Sequence, residues 1–503
     1  MNINYEISAL LKYAVDNSLI SECDRVYCAN RIIALLGLDE FELVPVECES
    51  PEYPAPILDN ILDWAYENGV LQGNSASYRD ILDAEIMSVF IPHPSEVIRE
   101  FNEKYAEDKK AASDYFYNLA TKSNYIHMDR IAKNIIWTTD TKYGDMIISI
   151  NLSKPEKDPK EIAAALKNKS ASKYPKCLLC RENEGYKGTL THPARANHRI
   201  IPLHIAGEDW FLQYSPYVYY NEHCIMFKAA HEPMKISRQT FARLLGFVEY
   251  MPHYFIGSNA GLPIVGGSIL AHDHYQGGNF DFPMARAGVY KQVKFKGYDD
   301  VEAGLVDWPM SVIRIRHEDK DVLVDLAYKI LIAWEGYTDE AAYILAETDG
   351  VPHNAITPIA RHKSGKYELD LVLRNNITDE QYPQGVYHPH PEYHHIKKEN
   401  IGLIEVMGLA ILPARLKDSI AKIEYYLKNP EKEDELKNDE SMAVHMDWYY
   451  QLKALNLPEN RIADGIKQSV GEIFAAILEN AGVYKNNDDG REAFLRFINY
   501  CNR

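Results

Sequence analysis

The pentapeptide His272-Asp273-His274-Tyr275-Gln276, preceded by Gly266-Gly267-Ser268 and followed by Gly277-Gly278, is the most informative stretch of the chain. In an extended backbone the period of two places His272, His274 and Gln276 on one face, and Asp273 and Tyr275 on the other. Such a face offers a nucleophile or metal ligand together with an amide donor for phosphate oxygens, and the backbone N–H groups of a Gly-Gly-Ser turn can form an anion-binding nest beside it. The competing reading is a strand carrying two metal-ligating histidines, with the glycines as turns. The pentapeptide by itself does not separate the two.

Counting ligands does. Cys177 and Cys180 form a C-x-x-C whose spacing suits zinc, and a closed structural zinc site takes four ligands of the Cys and His type. His231 and His272 complete a Cys2His2 set and leave His274 for other chemistry. A redox role for the cysteine pair lacks the thioredoxin-like βαβ surroundings such a motif needs. Zinc is therefore expected in a structural role, and no redox cofactor.

These residues need elements to hold them. Residues 1–134 read as helical, with apolar periodicity at 6–15, 25–36, 57–71, 78–90 and 95–118, and with Gly37 placed as a terminator. At Ile135 the text turns β-branched, and two runs flank Tyr143-Gly144 as a hairpin would. Asp158, Pro159 and Glu161 form a helix start. Further along come a strand at 217–227, a helix from Ser237 to about Phe255, strands at 290–296 and 311–316, a helix near 320–334, and a hairpin about Ser364-Gly365. The charged run at 429–440 reads as a solvated linker. The fold class is α+β with antiparallel strands. Its expected divisions are a helical region at 1–134, a first sheet-bearing half with the C-x-x-C at 135–240, a second half with the pentapeptide at 241–425, and a helical tail at 426–503.

Composition narrows the partners. Fifty-four Lys+Arg against 73 Asp+Glu in 503 residues give a net charge of -19, which disfavours a polyanionic partner such as a nucleic acid. No apolar run is long enough to span a membrane and the first residues do not read as a signal peptide, so a cytoplasmic protein is expected. Seven cysteines, of which only Cys177 and Cys180 are closely paired, form no disulfide framework.

The segment HDHYQ resembles the HxHxQ signature of the transferase branch of the histidine-triad superfamily. The longer texts SNAGLPIVGGSILAHDHYQGG, ISINLSKPEKDP and NIGLIEVMGLAILPARL strongly resemble the class II bacterial galactose-1-phosphate uridylyltransferases. The resemblance implies a histidine-triad-like antiparallel core in two related halves flanked by helices. It implies transfer of UMP from UDP-glucose to galactose 1-phosphate through a uridylyl-histidine intermediate, with UDP-galactose and hexose 1-phosphates as partners and a homodimer as the assembly of the class I relatives. On it His274 is the nucleophile and Gln276 holds a phosphate oxygen. Cys177, Cys180, His231 and His272 bind zinc, Asn221 and Glu222 lie near the uridine, and Asn259 and Ser268 contact nucleotide and phosphate beside the nest read at Gly266 and Gly267. Asp273 and Tyr275 stand where the class I relatives have Pro and Gly. For a second metal site the nearest match is His353-Asn354-Ala355. Two alternatives stay open: a nucleotide-sugar or dinucleotide phosphorylase or hydrolase of the same superfamily, and a non-catalytic zinc-stabilised binding protein.

His388-Pro389-His390-Pro391-Glu392-Tyr393-His394-His395 is richer in histidine, but it has Glu392 in place of Gln and no glycine-rich approach, so it reads as a solvated loop. His192, His198 and His204 read as packing or surface residues.

Overall fold

The computed structural model describes residues 2–153, 174–267 and 269–503. The helix start read at Asp158-Pro159-Glu161 therefore lies outside the described residues, as does Ser268. The chain divides into two compact units, one made of Met1–Lys133 and Ser153–Glu232, the other of Asn134–Leu152 and Pro233–Arg503.

The first unit opens with helices Ile3–Asp16, Arg25–Leu36, Ala55–Glu67, Ala76–Ser88, Pro94–Glu107 and Lys109–Lys122. Asn2 caps the first by accepting from Asn4 N–H at 3.1 Å. Gly37 ends the second in the left-handed conformation at φ 66°, as its position predicts. The periodic run at 95–118 is two helices rather than one. Asp108 is extended (φ -152°, ψ 120°) and its carboxylate accepts from Lys110 N–H at 2.9 Å, so it ends one helix and caps the next.

The strands, numbered along the chain, begin with β1 (Ile135–Thr141) and β2 (Gly144–Ile150), the expected hairpin, in the second unit. Strands β3 (Ile201–Ile205), β4 (Glu208–Tyr214) and β5 (Cys224–Lys228) follow in the first unit as an antiparallel meander. The strand read at 217–227 is confined to its last part. Ser215 N–H bonds to His223 O at 2.8 Å and His223 N–H to Tyr220 O at 3.2 Å. The tyrosine-rich stretch is therefore a turn, and aromatic β-propensity is overridden by those closures.

The remaining strands are β6 (Phe255–Gly257), β7 (His274–Gly278), β8 (Val289–Val293), β9 (Glu302–Val306), β10 (Val312–His317), β11 (Glu347–Thr348), β12 (Val351–Pro352), β13 (Asn354–Lys363), β14 (Lys366–Asn375) and β15 (Leu409–Leu412). In the second unit they run antiparallel in the order β7-β6-β13-β14-β10-β9-β8, while β15 joins β2 in parallel. The helix Arg238–Tyr250 starts at its expected cap, Ser237, and helix Lys320–Glu335 starts at Asp319, whose carboxylate accepts from Asp321 N–H at 2.8 Å. Both pack on β13. The fold class is thus α+β, with an antiparallel sheet flanked by helices, as the sequence leads one to expect.

An ionic cluster lies inside this sheet. Asp370 on β14 accepts from Arg314 Nε at 2.7 Å and Nη2 at 2.9 Å and from Arg361 Nη1 at 2.8 Å, and Glu368 pairs with Arg361 and Arg316. The stretch at 429–440 is not a solvated linker. It folds into the turn Pro430–Lys432 and the helix Glu433–Lys437, because Leu436 is fully buried while Glu433 pairs with Lys437 and Lys453.

Candidate functional site

The pentapeptide lies on β7 and the residues just before it. Gln276 faces Gly257 of β6 across the ladder, Gly277 faces Ile256 and Gly278 faces Phe255, so every pair between the two strands contains a glycine. The predicted alternation is seen in the partners. Asp273 Oδ2 and the Tyr275 hydroxyl both reach Arg243 Nη1 of helix Arg238–Tyr250, at 3.0 and 3.1 Å, which places this pair on the helix-facing side. Asp273, Tyr275 and Arg243 are all buried, and the ion pair orients the strand from behind. Arg243 was missed from the sequence. Its only local signal is an arginine on the apolar face of a helix.

His272 and His274 are buried, and Gln276 is half-buried. His274 Nδ1 lies 2.8 Å from the His272 carbonyl oxygen. A carbonyl only accepts, so Nδ1 carries the hydrogen and the lone pair of the neutral ring is on Nε2. Burial pushes the His274 pKa down to about 4, against the hydrogen bond to His272 O, which raises it. The ring is therefore neutral at ordinary pH, the state in which imidazole nitrogen is nucleophilic.

The glycine-rich approach is dictated by close contacts. A Cβ on Gly266 would sit 2.3 Å from Ala260 O, and one on Gly267 would sit 2.7 Å from Asn259 Nδ2. Both positions therefore exclude a side chain. Asn259, just past the end of β6, is buried, and its Oδ1 accepts from Leu403 N–H at 2.9 Å. In the first unit Asn221 is exposed, and its Nδ2 donates to Glu222 Oε1 at 3.1 Å. Glu222 is buried and held at φ 54°, a conformation costly for a non-glycine residue.

The cysteine pair forms a tight turn. Cys180 N–H points to Cys177 O at 3.3 Å, and Leu179 N–H points to Cys177 Sγ at 3.4 Å. Asn183 Nδ2 donates to both Cys177 O and Cys180 O, at 2.9 and 2.7 Å, and its Oδ1 is 2.6 Å from His192 Nε2. Asn183 and His192 thus brace the turn, a role not read from the sequence. Cys177 Sγ is 3.5 Å from Cys180 Sγ, which is 3.1 Å from His231 Nδ1. Cys177, Cys180 and His231 thus bring two thiols and an imidazole together within the first unit. Bonds of about 2.3 Å to sulfur and about 2.0 Å to nitrogen make tetrahedral edges of roughly 3.3–3.8 Å, so the donor set and its spacing fit zinc. Burial, and then the neighbouring Cys177, push the Cys180 thiol up to about 11.

The other histidines are used by the protein. His353 bonds to Asn376 Oδ1 and Thr348 Oγ1 at 2.8 and 2.9 Å, which occupies both ring nitrogens. The segment 388–395 is not a solvated loop. His388 is buried and bonds to Asn400 Oδ1 at 3.1 Å, and His390 stacks on Tyr382 with centroids 4.0 Å apart and donates to Val386 O at 3.0 Å. The prolines turn the chain back on itself, so its imidazoles pair with nearby carbonyls instead of water. His198 and His204 are packing and surface residues, as expected: His198 is buried against Gln213, and His204 is exposed beside Asp209.

The profile of the galactose-1-phosphate uridyl transferase N-terminal domain matches residues 18–233, and that of the C-terminal domain matches residues 248–449. The chain belongs to the galactose-1-phosphate uridylyltransferase family. Within it the chain is of the bacterial class II type and is a transferase. It is 52% identical over 507 residues to a Fusobacterium nucleatum subsp. nucleatum protein named galactose-1-phosphate uridylyltransferase, with 99% of each chain covered. A Clostridium acetobutylicum protein of the same name is 52% identical over 499 residues, again with 99% of each covered. Among solved structures, a yeast Ap4A phosphorylase is similar with a TM-score of 0.30 and 11% identity, covering 57% of this chain and 85% of that one. No helix among the described residues is long and apolar enough to cross a membrane.

Proposed function

We propose that this member of the galactose-1-phosphate uridylyltransferase family moves UMP from UDP-glucose to galactose 1-phosphate in two displacements at His274. The observation that carries the reading is the Nδ1–H···O bond to His272, which leaves the lone pair on Nε2 of a buried, neutral ring. In the first displacement Nε2 attacks the α-phosphorus of UDP-glucose. The N–P bond forms, the P–O bond to the β-phosphate breaks, and glucose 1-phosphate leaves with the electron pair. The imidazole becomes cationic, and its Nδ1–H stays on the His272 carbonyl, whose dipole stabilises the new charge. In the second displacement a phosphate oxygen of galactose 1-phosphate attacks the same phosphorus, the N–P bond breaks, and His274 returns to neutral. No strong general acid is needed, because the leaving group is already a stable anion. Gln276, Asn259 and the Gly266–Gly267 backbone hold the phosphate oxygens, and Asn221 and Glu222 orient the uridine.

Cys177, Cys180, His231 and His272 would hold a zinc ion whose chemistry is structural. With it the His272 backbone, and hence the acceptor for His274 Nδ1, is fixed by a side-chain ligand.

UDP-glucose alone tests the nucleophile. A stoichiometric burst of glucose 1-phosphate and an acid-labile UMP adduct on His274 are expected, and galactose 1-phosphate should discharge the adduct. Absence of the adduct with intersecting initial-rate plots would establish direct transfer instead, and discharge only by inorganic phosphate or water would make the protein a phosphorylase or hydrolase. Metal analysis should find about one zinc per chain, and zinc-free protein of full activity and stability would refute the metal assignment.

A further inference from the structure

An asparagine amide can present either its oxygen or its nitrogen to a ligand, and for Asn259 the choice is made by one backbone hydrogen. Leu403 N–H, 2.9 Å away, is a donor only, so it takes Oδ1 and turns Nδ2 to the other side. There Nδ2 lies against Gly267, 2.7 Å from where a Cβ would be. Phosphate oxygens only accept, so this orientation suits them and the flipped one would set oxygen against oxygen.

The Leu403 hydrogen is itself held by buried charge. Gly402 N–H donates to Glu405 Oε2 at 3.1 Å, and Glu405 Oε1 pairs with Lys397 Nζ at 3.0 Å, with both side chains at most 10% exposed. Lys397 Nζ also donates to Ile411 O at 3.2 Å, and Arg374 Nη2 donates to Ile401 O at 2.8 Å. The turn at 401–403 is thus tied from three directions. A buried ion pair adds little net stability over an apolar pair, and its best-supported use is to specify one arrangement over another. The arrangement specified here is the register of the Leu403 N–H on Asn259.

We propose that Glu405 and Lys397 are positioning residues for uridylyl transfer, acting through Leu403 N–H to keep the Asn259 amide nitrogen turned toward the substrate phosphate. This rests on the reading of Asn259 as a phosphate contact.

A double-mutant cycle on turnover of UDP-glucose with galactose 1-phosphate tests it. Glu405→Ala should lower kcat about tenfold or more with KM for UDP-glucose little changed, because the donor is lost where charge develops. Glu405→Gln, which keeps an acceptor for Gly402 N–H, should restore most of that. In an Asn259→Ala background the Glu405→Ala effect should vanish, since there is no amide left to orient. A Glu405 that merely supports the fold would give losses that multiply in the double variant, and that result overturns the proposal. If Glu405→Ala does not fold, Leu403→Pro takes its place in the cycle. It removes the N–H at the first helical position, after Gly402 at φ -87° and ψ -176°, a conformation a residue before proline readily adopts. Full activity in Asn259→Ala also overturns the proposal. UMP adduct formation in that same variant shows whether the His274 chemistry stands regardless, so the two failures are distinguishable.

Discussion

Asp370→Asn is the sharpest test of what holds the second unit's sheet together. The carboxylate is fully buried and accepts three hydrogen bonds from two guanidinium groups, those of Arg314 and Arg361. Burial works to raise its pKa, but the charges of Arg361 and then Arg314 outweigh it and hold the group below its ordinary value, so it is ionised in the folded protein. Asparagine keeps the shape and one acceptor, removes the charge, and turns an NH2 group toward an arginine. Within the cluster Arg314, Arg316 and Arg361 face Asp370 and Glu368, and the substitution leaves only Glu368 to balance three cations. Breaking a buried pair this way costs about 3–5 kcal/mol. Hydrogen exchange on peptides from β13 and β14 reads the opening of this unit separately from the rest of the chain. Protection there should fall roughly a hundred- to several-thousandfold, since each step of about 1.4 kcal/mol is a factor of ten. Adding Arg361→Met should recover part of the loss by removing one unpaired cation. A change of less than about fivefold in the single variant would mean that water or relaxation compensates the charge, and the cost assigned to unpairing these buried arginines would be wrong.

Three further outcomes follow from other parts of the molecule. His274→Asn should abolish uridylyl transfer with the fold retained, whereas His390→Asn, which loses only its bond to Val386 O and its stacking on Tyr382, should keep most activity; equal losses in a steady-state assay would refute the ranking of the two histidine segments. Cys177→Ser should lower the zinc content and the thermal midpoint of the purified protein more than it lowers kcat per folded molecule, and a variant equal to the parent in both would remove the metal from its structural role. Asp83 is buried and accepts from Asn124 Nδ2 at 2.8 Å, while its Oδ1 and Asn124 Oδ1 have no partner among the described residues, and burial, aided by Asp80, raises its pKa. A raised folded pKa means stability that is complete below the unfolded value of about 3.9 and is lost as pH rises from there toward the folded pKa. Asp83→Asn should therefore gain on the parent in urea midpoint as pH rises above about 4, and a pH-independent difference would show that the carboxyl is ionised and solvated.

The sequence by itself determined those features whose cause is local. Ser237 and Gly37 bound their helices because a cap is made within one turn, and the β1–β2 hairpin follows from two β-branched runs and a glycine between them. The shared face of Asp273 and Tyr275 follows from the period of a strand, and the proposed zinc ligands follow from counting the thiols and imidazoles the chain offers. The resemblance supplied the roles proposed for His274 and Asn259. What only the tertiary structure decided are the relations between distant segments. β9 was not legible, because Gly304 weakens the pattern of a strand. That glycine is required by Val289 of β8, whose Cγ1 would lie 2.3 Å from a Cβ there. The burial of Leu436 and of His388 depends on surfaces supplied from elsewhere, which no window of polar residues reveals. Asn183 under the cysteine turn and Arg243 behind β7 are set by neighbours in space. The orientation of Asn259 hangs on a hydrogen 144 residues further along the chain. Periodicity and capping report the free energy of a few adjacent residues, whereas a side chain's partner and the face of an amide depend on which strands and loops the whole chain brings beside it.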